Sequence, residues 1–329
     1  MCYNRIESCN YNNLVGIAYK RQRTEVSELF SLLVCSCHVR KGKNMRRIKI
    51  VADSSSDVLS LEGVDYAVAP LKIVAGEREF VDDASLDVHE MNGYLKGYKG
   101  KSHTSCPNTS DWIEAFGGAD DVICVTITSN LSGSYNSAST AKKVYEEEHE
   151  GSRVFVLDTL STGPETTLIL RKLTELIGEG KDFDTVTAEI QEYSKTTGLY
   201  FMLSSLRTLA NNGRVSHVVA KIIDIAGICV VAKASDIGTI ETKHKCRGEA
   251  KAIDTLVKSM TEEGYRGGRI VIGHAENPSG AELARAKILA ANPDADIFVH
   301  ELRGLCSFYA ERGGILIGFE KECMAPMAQ

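Results

Sequence analysis

The chain has 329 residues, 43% hydrophobic and 25% charged, with 28 Gly and 6 Pro, which excludes a disordered, collagen-like or coiled-coil protein. Its 38 Lys and Arg against 44 Asp and Glu leave a net charge of −6, so no broad basic surface for nucleic acid is expected. No apolar run reaches the ~18 residues that a transmembrane helix needs.

Length alone points to about two domains. The apolar run Leu29–Cys35 has Ser31 inside it and leads into Cys and His, not an A-x-A cleavage site, so no signal peptide is expected and the chain reads as cytoplasmic. Ten Cys do not alter this, because the one close pair, Cys35-x-Cys37, lacks a second pair at zinc spacing. Reduced thiols and no metal site are expected.

In chain order, residues 1–47 stand apart, with nine Lys or Arg, three Asp or Glu and four of the ten Cys. Neither a helical nor a strand period runs through them. Residues 1–44 therefore read as a basic extension outside the fold, either upstream sequence before a start at Met45 or a true basic tail. A first strand, Ile48–Ala52, follows at once. Further β-branched runs lie at Val122–Ile127, Arg153–Leu157, Ile228–Ala232, Ile270–Gly273, Ile297–His300 and Ile315–Phe319. Helical periods cover Tyr135–His149, Glu165–Ile177, Asp184–Tyr193, Glu249–Glu263 and Ser279–Ala291. Strands alternating with helices of 10–15 residues predict parallel sheet with right-handed crossovers. Cys229–Ala234 and Thr239–Lys245 flank a Gly-containing turn and predict an antiparallel hairpin. The expected fold is α/β in two domains. Residues 45–195 form a purely α/β, parallel-sheet, Rossmann-like domain, and residues 196–329 form a mixed α/β domain.

The phosphate loop G-x-x-x-x-G-K-[ST], the dinucleotide motif G-x-G-x-x-G, the nucleophile elbow G-x-S-x-G and the zinc motif H-E-x-x-H do not occur. What remains is a series of small, hydroxyl-rich loops. These are Asp53-Ser54-Ser55-Ser56-Asp57, Thr104-Ser105-Cys106-Pro107, Thr128–Tyr135 and Asp158–Gly163. Ligands of parallel sheets bind beyond the carboxyl ends of the strands. Helix N-termini opening from such loops favour an anion, so the group suits a carboxylate or phosphate. Taken singly, Asp53–Asp57 also reads as an N-cap with an Asx-turn, Ser132-Gly133 as a cap with a tight turn, Asp158-Thr159 as a cap and Thr104–Pro107 as a plain loop.

Three more residues are ambiguous on the same terms. Leu203–Leu209 reads as a helix ending on a Gly213 C-cap, with Arg214 just beyond, solvated or paired. His274 closes the strand Ile270–Gly273, and Tyr309 precedes Gly313-Gly314. Either is equally at home in a structural role. Cys106 lies in a polar loop without an identifiable base and is not read as a nucleophile.

Together, in order and spacing, these motifs resemble the DegV family, the fatty-acid-binding proteins that serve bacterial fatty acid kinase. The resemblance runs from Ile48 to about Lys321. Asp53–Asp57 is similar to the family's D-S-x-x-D, and Pro70–Ile73 to its Pro-led strand. Thr104–Pro107 stands for T-S-Q-P, Ser132–Ala138 for S-G-T-Y-x-S-A, and Asp158–Gly163 for D-S-x-x-x-S-x-G. Leu209–Arg214 matches L-x-x-x-G-R, and Cys246–Ala252 resembles R-G-x-x-K-A. There are departures. Cys106 replaces Gln, the helix between Thr104 and Ser132 is short, and the strand K-P-I-L has become Ile228–Val231. The His of H-x-G-P-G falls on Tyr309, whose hydroxyl donates a hydrogen bond but carries no charge at neutral pH.

The resemblance implies that a ligand lies between the two domains, its acyl chain in a tunnel built largely by the C-terminal domain. It places the carboxylate against Thr104 and Ser132 and the N–H groups of Gly133 and Ser134. Ser105, Arg214, His274 and Tyr309 are further candidates for ligand contact. It implies a bound fatty acid, no other cofactor, no catalysis by this chain, a separate ATP-dependent kinase subunit as partner, and no more than transient contact with a membrane surface. Alternative readings remain. One is a carrier of a different amphiphile. Another is an independent small-molecule enzyme using Thr104, Ser132 and Asp53 or Asp57. A third is a non-catalytic regulator with a vestigial pocket.

Overall fold

In the computed structural model, residues 46–216 and 227–322 are described. The expected extension, residues 1–44, lies outside the described residues, as do parts of the expected C-terminal domain.

The first sheet is built from β1 (Ile48–Asp53), β2 (Asp65–Ala69), β6 (Asp121–Thr126) and β7 (Arg153–Asp158), in the order β2-β1-β6-β7. All its neighbours are parallel. The β1 sequence Ile-Lys-Ile-Val-Ala-Asp is buried at every position but one, as expected of a strand covered on both faces. One face carries Ile50, Ile123, Val125 and Leu157 against the helices Gly163–Gly178 and Phe183–Ser194. The other carries Val51, Val122, Cys124 and Val154 against Thr109–Phe116 and Ser134–Glu148. In the latter, Ala138, Ala141 and Tyr145 are buried at helical spacing, so that one stripe faces the sheet. Asp53 pairs with Ala69, and Thr126 with Asp158. The hydroxyl-rich loops after β1, β6 and β7 therefore emerge along one edge, the carboxyl edge.

This half is not purely strand–helix alternation, contrary to expectation. β3 (Lys72–Ala75), β4 (Arg78–Val81) and β5 (Ser102–Ser105) form a small antiparallel sheet in the order β4-β3-β5. Its strands are four residues each, too short for a period to show in the sequence. Ile73 and Phe80 pack under α1 (Val88–Gly97), which follows β4. Numbering then continues as α2 (Thr109–Phe116), α3 (Ser134–Glu148), α4 (Gly163–Gly178) and α5 (Phe183–Ser194).

The second sheet has the order β10-β9-β8-β13-β11-β12. Its strands are β8 (Thr197–Leu203), β9 (Ile228–Ala234), β10 (Ile240–Arg247), β11 (Arg269–His274), β12 (Asp296–Glu301) and β13 (Ile315–Glu320). β11 and β12 are parallel, and the other pairs are antiparallel. The expected hairpin is present as β9–β10. The expected helix starting at Leu203 is instead the end of β8 followed by a short α6 (Arg207–Asn211). All of Thr197–Leu203 is buried, so no polar alternation marked it as strand.

Alternation divides this sheet into two apolar faces. Tyr200, Met202, Val231, Ile317 and Phe319 pack on α7 (Glu249–Glu262) and α8 (Pro278–Ala291). Leu199, Phe201, Leu203, Val230 and Leu316 point the other way, toward α6 and α9 (Gly304–Ala310). The two sheets are joined by α4, which also lies on β11 and β13. Gly318 of β13 permits this, since a Cβ there would fall 2.7 Å from Glu165 Cα.

Candidate functional site

The open face of the second sheet forms one wall of an internal cavity, with Leu199, Phe201, Leu203 and Leu316 from its strands. Leu209 of α6 adds to it. The opposite wall comes from the carboxyl-edge loops of the first sheet, through Ile127, Leu131 and Leu160, and from Leu305 of α9. The β9–β10 turn closes one side. Thr128 Oγ1 donates to Gly238 O at 2.9 Å, and Asn130 Nδ2 to Ile237 O at 2.7 Å. Gly238 has φ 74°, and a Cβ there would lie 2.9 Å from Leu160 Cα, so that residue is required by both turn and contact. The free volume is about 90 Å³. Small-molecule sites commonly hold ~300–1,000 Å³, so a long ligand requires the wall side chains to part.

Polar groups gather where β5, the loop after β6, the loop after α6, and α9 meet. Thr104 Oγ1 and Tyr309 Oη share a hydrogen bond of 2.7 Å. The Arg214 guanidinium carbon sits 5.8 Å from the Tyr309 ring centroid. Its Nε donates to Leu131 O at 3.1 Å, and its Nη1 to Asn212 O. Ser132 lies on the same wall, its Oγ accepting from Ser134 N at 3.3 Å. Burial raises the Tyr309 hydroxyl above its ordinary value, against the opposing effects of the Thr104 hydrogen bond and the Arg214 charge, so it stays neutral. Among the described wall residues, Arg214 is the only one with a permanent charge. This set can bind a carboxylate by two hydroxyl donors and one guanidinium.

Three buried carboxylates hold that arrangement in place. Asp53 accepts from Ser55 N at 3.2 Å and Ser55 Oγ at 2.5 Å, and also from Ile127 N at 2.9 Å and Ser134 Oγ at 2.6 Å. It thereby fixes the start of the β6 loop and of α3. Burial raises its pKa, opposed by the hydroxyls of Ser134 and Ser55. Asp57, with φ 59°, accepts from Arg303 N at 2.8 Å, while its Oδ2 is buried and unpartnered. Desolvation pushes Asp57 up to about 8. Asp82 accepts from Gly304 N at 3.0 Å and Leu305 N at 2.9 Å. Asp57 and Asp82 together anchor the start of α9, the helix that carries Tyr309.

Of the residues singled out in the sequence, Thr104, Ser132, Arg214 and Tyr309 reach the cavity wall. The others lie elsewhere. Ser134 is fully buried with its hydroxyl committed to Asp53 and its N–H to Ser132. Gly133 is the N-cap of α3, and a Cβ on it would lie 3.2 Å from Cys106 Sγ. Ser105 is exposed at the end of β5, where its Oγ donates to Cys106 O at 3.3 Å, because strand alternation turns it away from Thr104. His274 accepts from Asn277 N at 3.3 Å at the end of β11, off the cavity wall, and burial lowers its pKa. Asp53 and Asp57, the acids of the enzyme reading, are likewise not on the wall. Sequence reasoning did not single out Thr162 and Cys306 as wall residues. Thr162 lay within a quoted loop, but Cys306 carried no signal. Its thiol is raised well above its ordinary value by burial and donates to Ser55 O at 3.3 Å.

A family model described as an uncharacterised protein of the DegV family matches residues 47–322. A DegV domain-containing protein of Streptococcus pneumoniae is 38% identical over 276 residues, 83% of this chain and 98% of that protein. One from Streptococcus pyogenes serotype M3 is 40% identical, over 83% and 99%. Among solved structures, a DegV family protein from Eubacterium eligens loaded with heptadecanoic acid is 43% identical, with a TM-score of 0.82 over 84% of this chain and all of that one. The Streptococcus pneumoniae Fatty Acid Kinase (Fak) B3 protein loaded with linoleic acid is 38% identical, also with a TM-score of 0.82, over 84% of this chain and 100% of that one.

Proposed function

The chain belongs to the DegV family, and we propose that it binds a long-chain fatty acid and presents the carboxylate to a separate ATP-dependent kinase subunit for acyl phosphate formation. The observation that carries this reading is an apolar cavity whose polar groups, Thr104, Ser132, Arg214 and Tyr309, converge on one region. Each buried methylene contributes about 0.8 kcal/mol, so the chain supplies affinity while the polar set supplies orientation. The fatty acids bound by the two similar structures support the ligand class, and the Fak B3 likeness supports the kinase partner.

In this reading the chain is a non-catalytic binding subunit that uses no cofactor beyond its ligand. Asp53, which accepts from the Ser134 hydroxyl, is held by four hydrogen bonds and lies off the cavity wall. The carrier is proposed to work in the cytoplasm and to meet membranes transiently; no helix among the described residues is long and apolar enough to cross a membrane.

The first test is to denature the purified protein, extract it and identify bound lipid by mass spectrometry. A stoichiometric fatty acid is expected. An empty extract together with no uptake of added oleic acid rejects the reading. With ATP and a fatty acid kinase catalytic subunit, the loaded protein should yield an acyl phosphate that hydroxylamine traps as the hydroxamate. Formation of that product without the kinase restores the enzyme reading.

A further inference from the structure

The residue after the wall residue Ala310 is Glu311, with φ 54° and ψ 167°. That backbone region is essentially reserved for Gly, yet a charged side chain occupies it. The side chain gives the reason. Glu311 Oε1 accepts from Ser205 Oγ and from Thr208 N, each at 3.0 Å. Thr208 lies in the first turn of α6, whose N-cap residue Leu206 makes no side-chain capping bond. Glu311 therefore caps α6 from a different element.

Both ends of this link lead to the polar set. α6 runs through Asn212 and Gly213 to Arg214, whose N–H bonds Leu209 O at 2.8 Å. Glu311 N–H closes α9 on Ser307 O at 3.0 Å, two residues beyond Tyr309. One carboxylate oxygen thus ties the helix that carries Tyr309 to the helix that sets Arg214. A residue needed only to turn the chain would be served better by Gly.

We infer that Glu311 is a positioning residue for the carboxylate site. It holds the Arg214 guanidinium against the Thr104–Tyr309 pair, and the strained backbone is retained for that link. The inference rests on the acid-binding reading above. It implies that selectivity for a charged head group depends on a side chain outside the cavity.

The test compares E311G and E311Q for binding of oleic acid and of oleyl alcohol, which has the same chain but no carboxylate. E311G relieves the backbone and removes the link, while E311Q keeps an acceptor at Oε1. E311G should bind oleic acid at least ~10-fold more weakly than wild type, with oleyl alcohol changed by less than ~2-fold. E311Q should stay within ~3-fold of wild type for both probes. Unchanged binding of oleic acid by E311G, or equal losses for acid and alcohol, overturns the proposal. A wild-type protein that takes up neither probe rejects the acid-binding reading itself, and this inference with it.

Discussion

The hydroxyls of Thr104 and Tyr309 lie 2.7 Å apart although 205 positions separate them in the chain. One comes from the small antiparallel sheet, the other from the helix between the last two strands. Each hydroxyl holds the other in place, so each is oriented before a ligand arrives. Replacing Thr104 by Val, or Tyr309 by Phe, should weaken fatty acid binding by roughly 0.5–1.5 kcal/mol. The double substitution should cost less than the sum, since either single change already breaks the pair. Fluorescence displacement titrations check this, and strict additivity would show that the two act independently.

Arg214 brings the permanent charge to the wall. Arg214→Gln should weaken oleic acid by roughly 1.5–3 kcal/mol, the range of a hydrogen bond to a charged group. The loss should be absent for the methyl ester. Equal losses for acid and ester would place Arg214 in the packing of the wall, not in recognition of the head group.

Ser134 is a ligand candidate through its backbone N–H, while its hydroxyl serves Asp53. Ser134→Ala leaves a buried carboxylate short of one donor and should destabilise the fold by roughly 1–3 kcal/mol. Affinity measured well below the melting transition should be retained. Chemical denaturation and binding on the same sample check the two effects. A stable variant with poor binding contradicts the assignment.

Asp57 links stability to pH. Its folded value is pushed up to about 8, from an ordinary 3.8. Between these values the folded state holds a proton that the unfolded state has released. Stability therefore falls as pH rises through that window, by up to ~1.4 kcal/mol per pH unit for one group. Asp57→Asn keeps an acceptor for Arg303 N and removes the titration. Its stability should decline less steeply than wild type between about pH 4 and 8. Parallel urea-denaturation profiles across that range would refute the assignment.

The long, regular elements were legible in the sequence because their periods repeat. β1, β6, β7 and the helices Ser134–Glu148, Gly163–Gly178 and Glu249–Glu262 fall where the apolar spacing places them. β8 was not, because Thr197–Leu203 is buried on both faces and has no alternation to show. The reading of Asp53 as an Asx-type cap is right locally, since it accepts from Ser55 N. Its bonds to Ile127 and Ser134 span 74 and 81 residues and leave no local trace. Ser105 and Thr104 are neighbours in one quoted loop, and nothing local to it shows that they face opposite ways. Only the strand Ser102–Ser105 assigns them to opposite sides. Asp82 carried no motif, because what identifies it is the start of a helix more than 220 residues later.

Among the described residues β13 is the last strand in sequence, but it lies inside its sheet, between β8 and β11. A growing chain cannot finish this sheet by adding strands at its edge. It must keep β8 and β11 apart, or joined wrongly, until Ile315–Glu320 has been made. Such late, long-range closure slows folding and prolongs exposure of apolar strand edges. Tyr309 belongs to the same late segment. The cavity wall that includes Tyr309 and Leu316 therefore takes shape only once that strand has been inserted between its two neighbours.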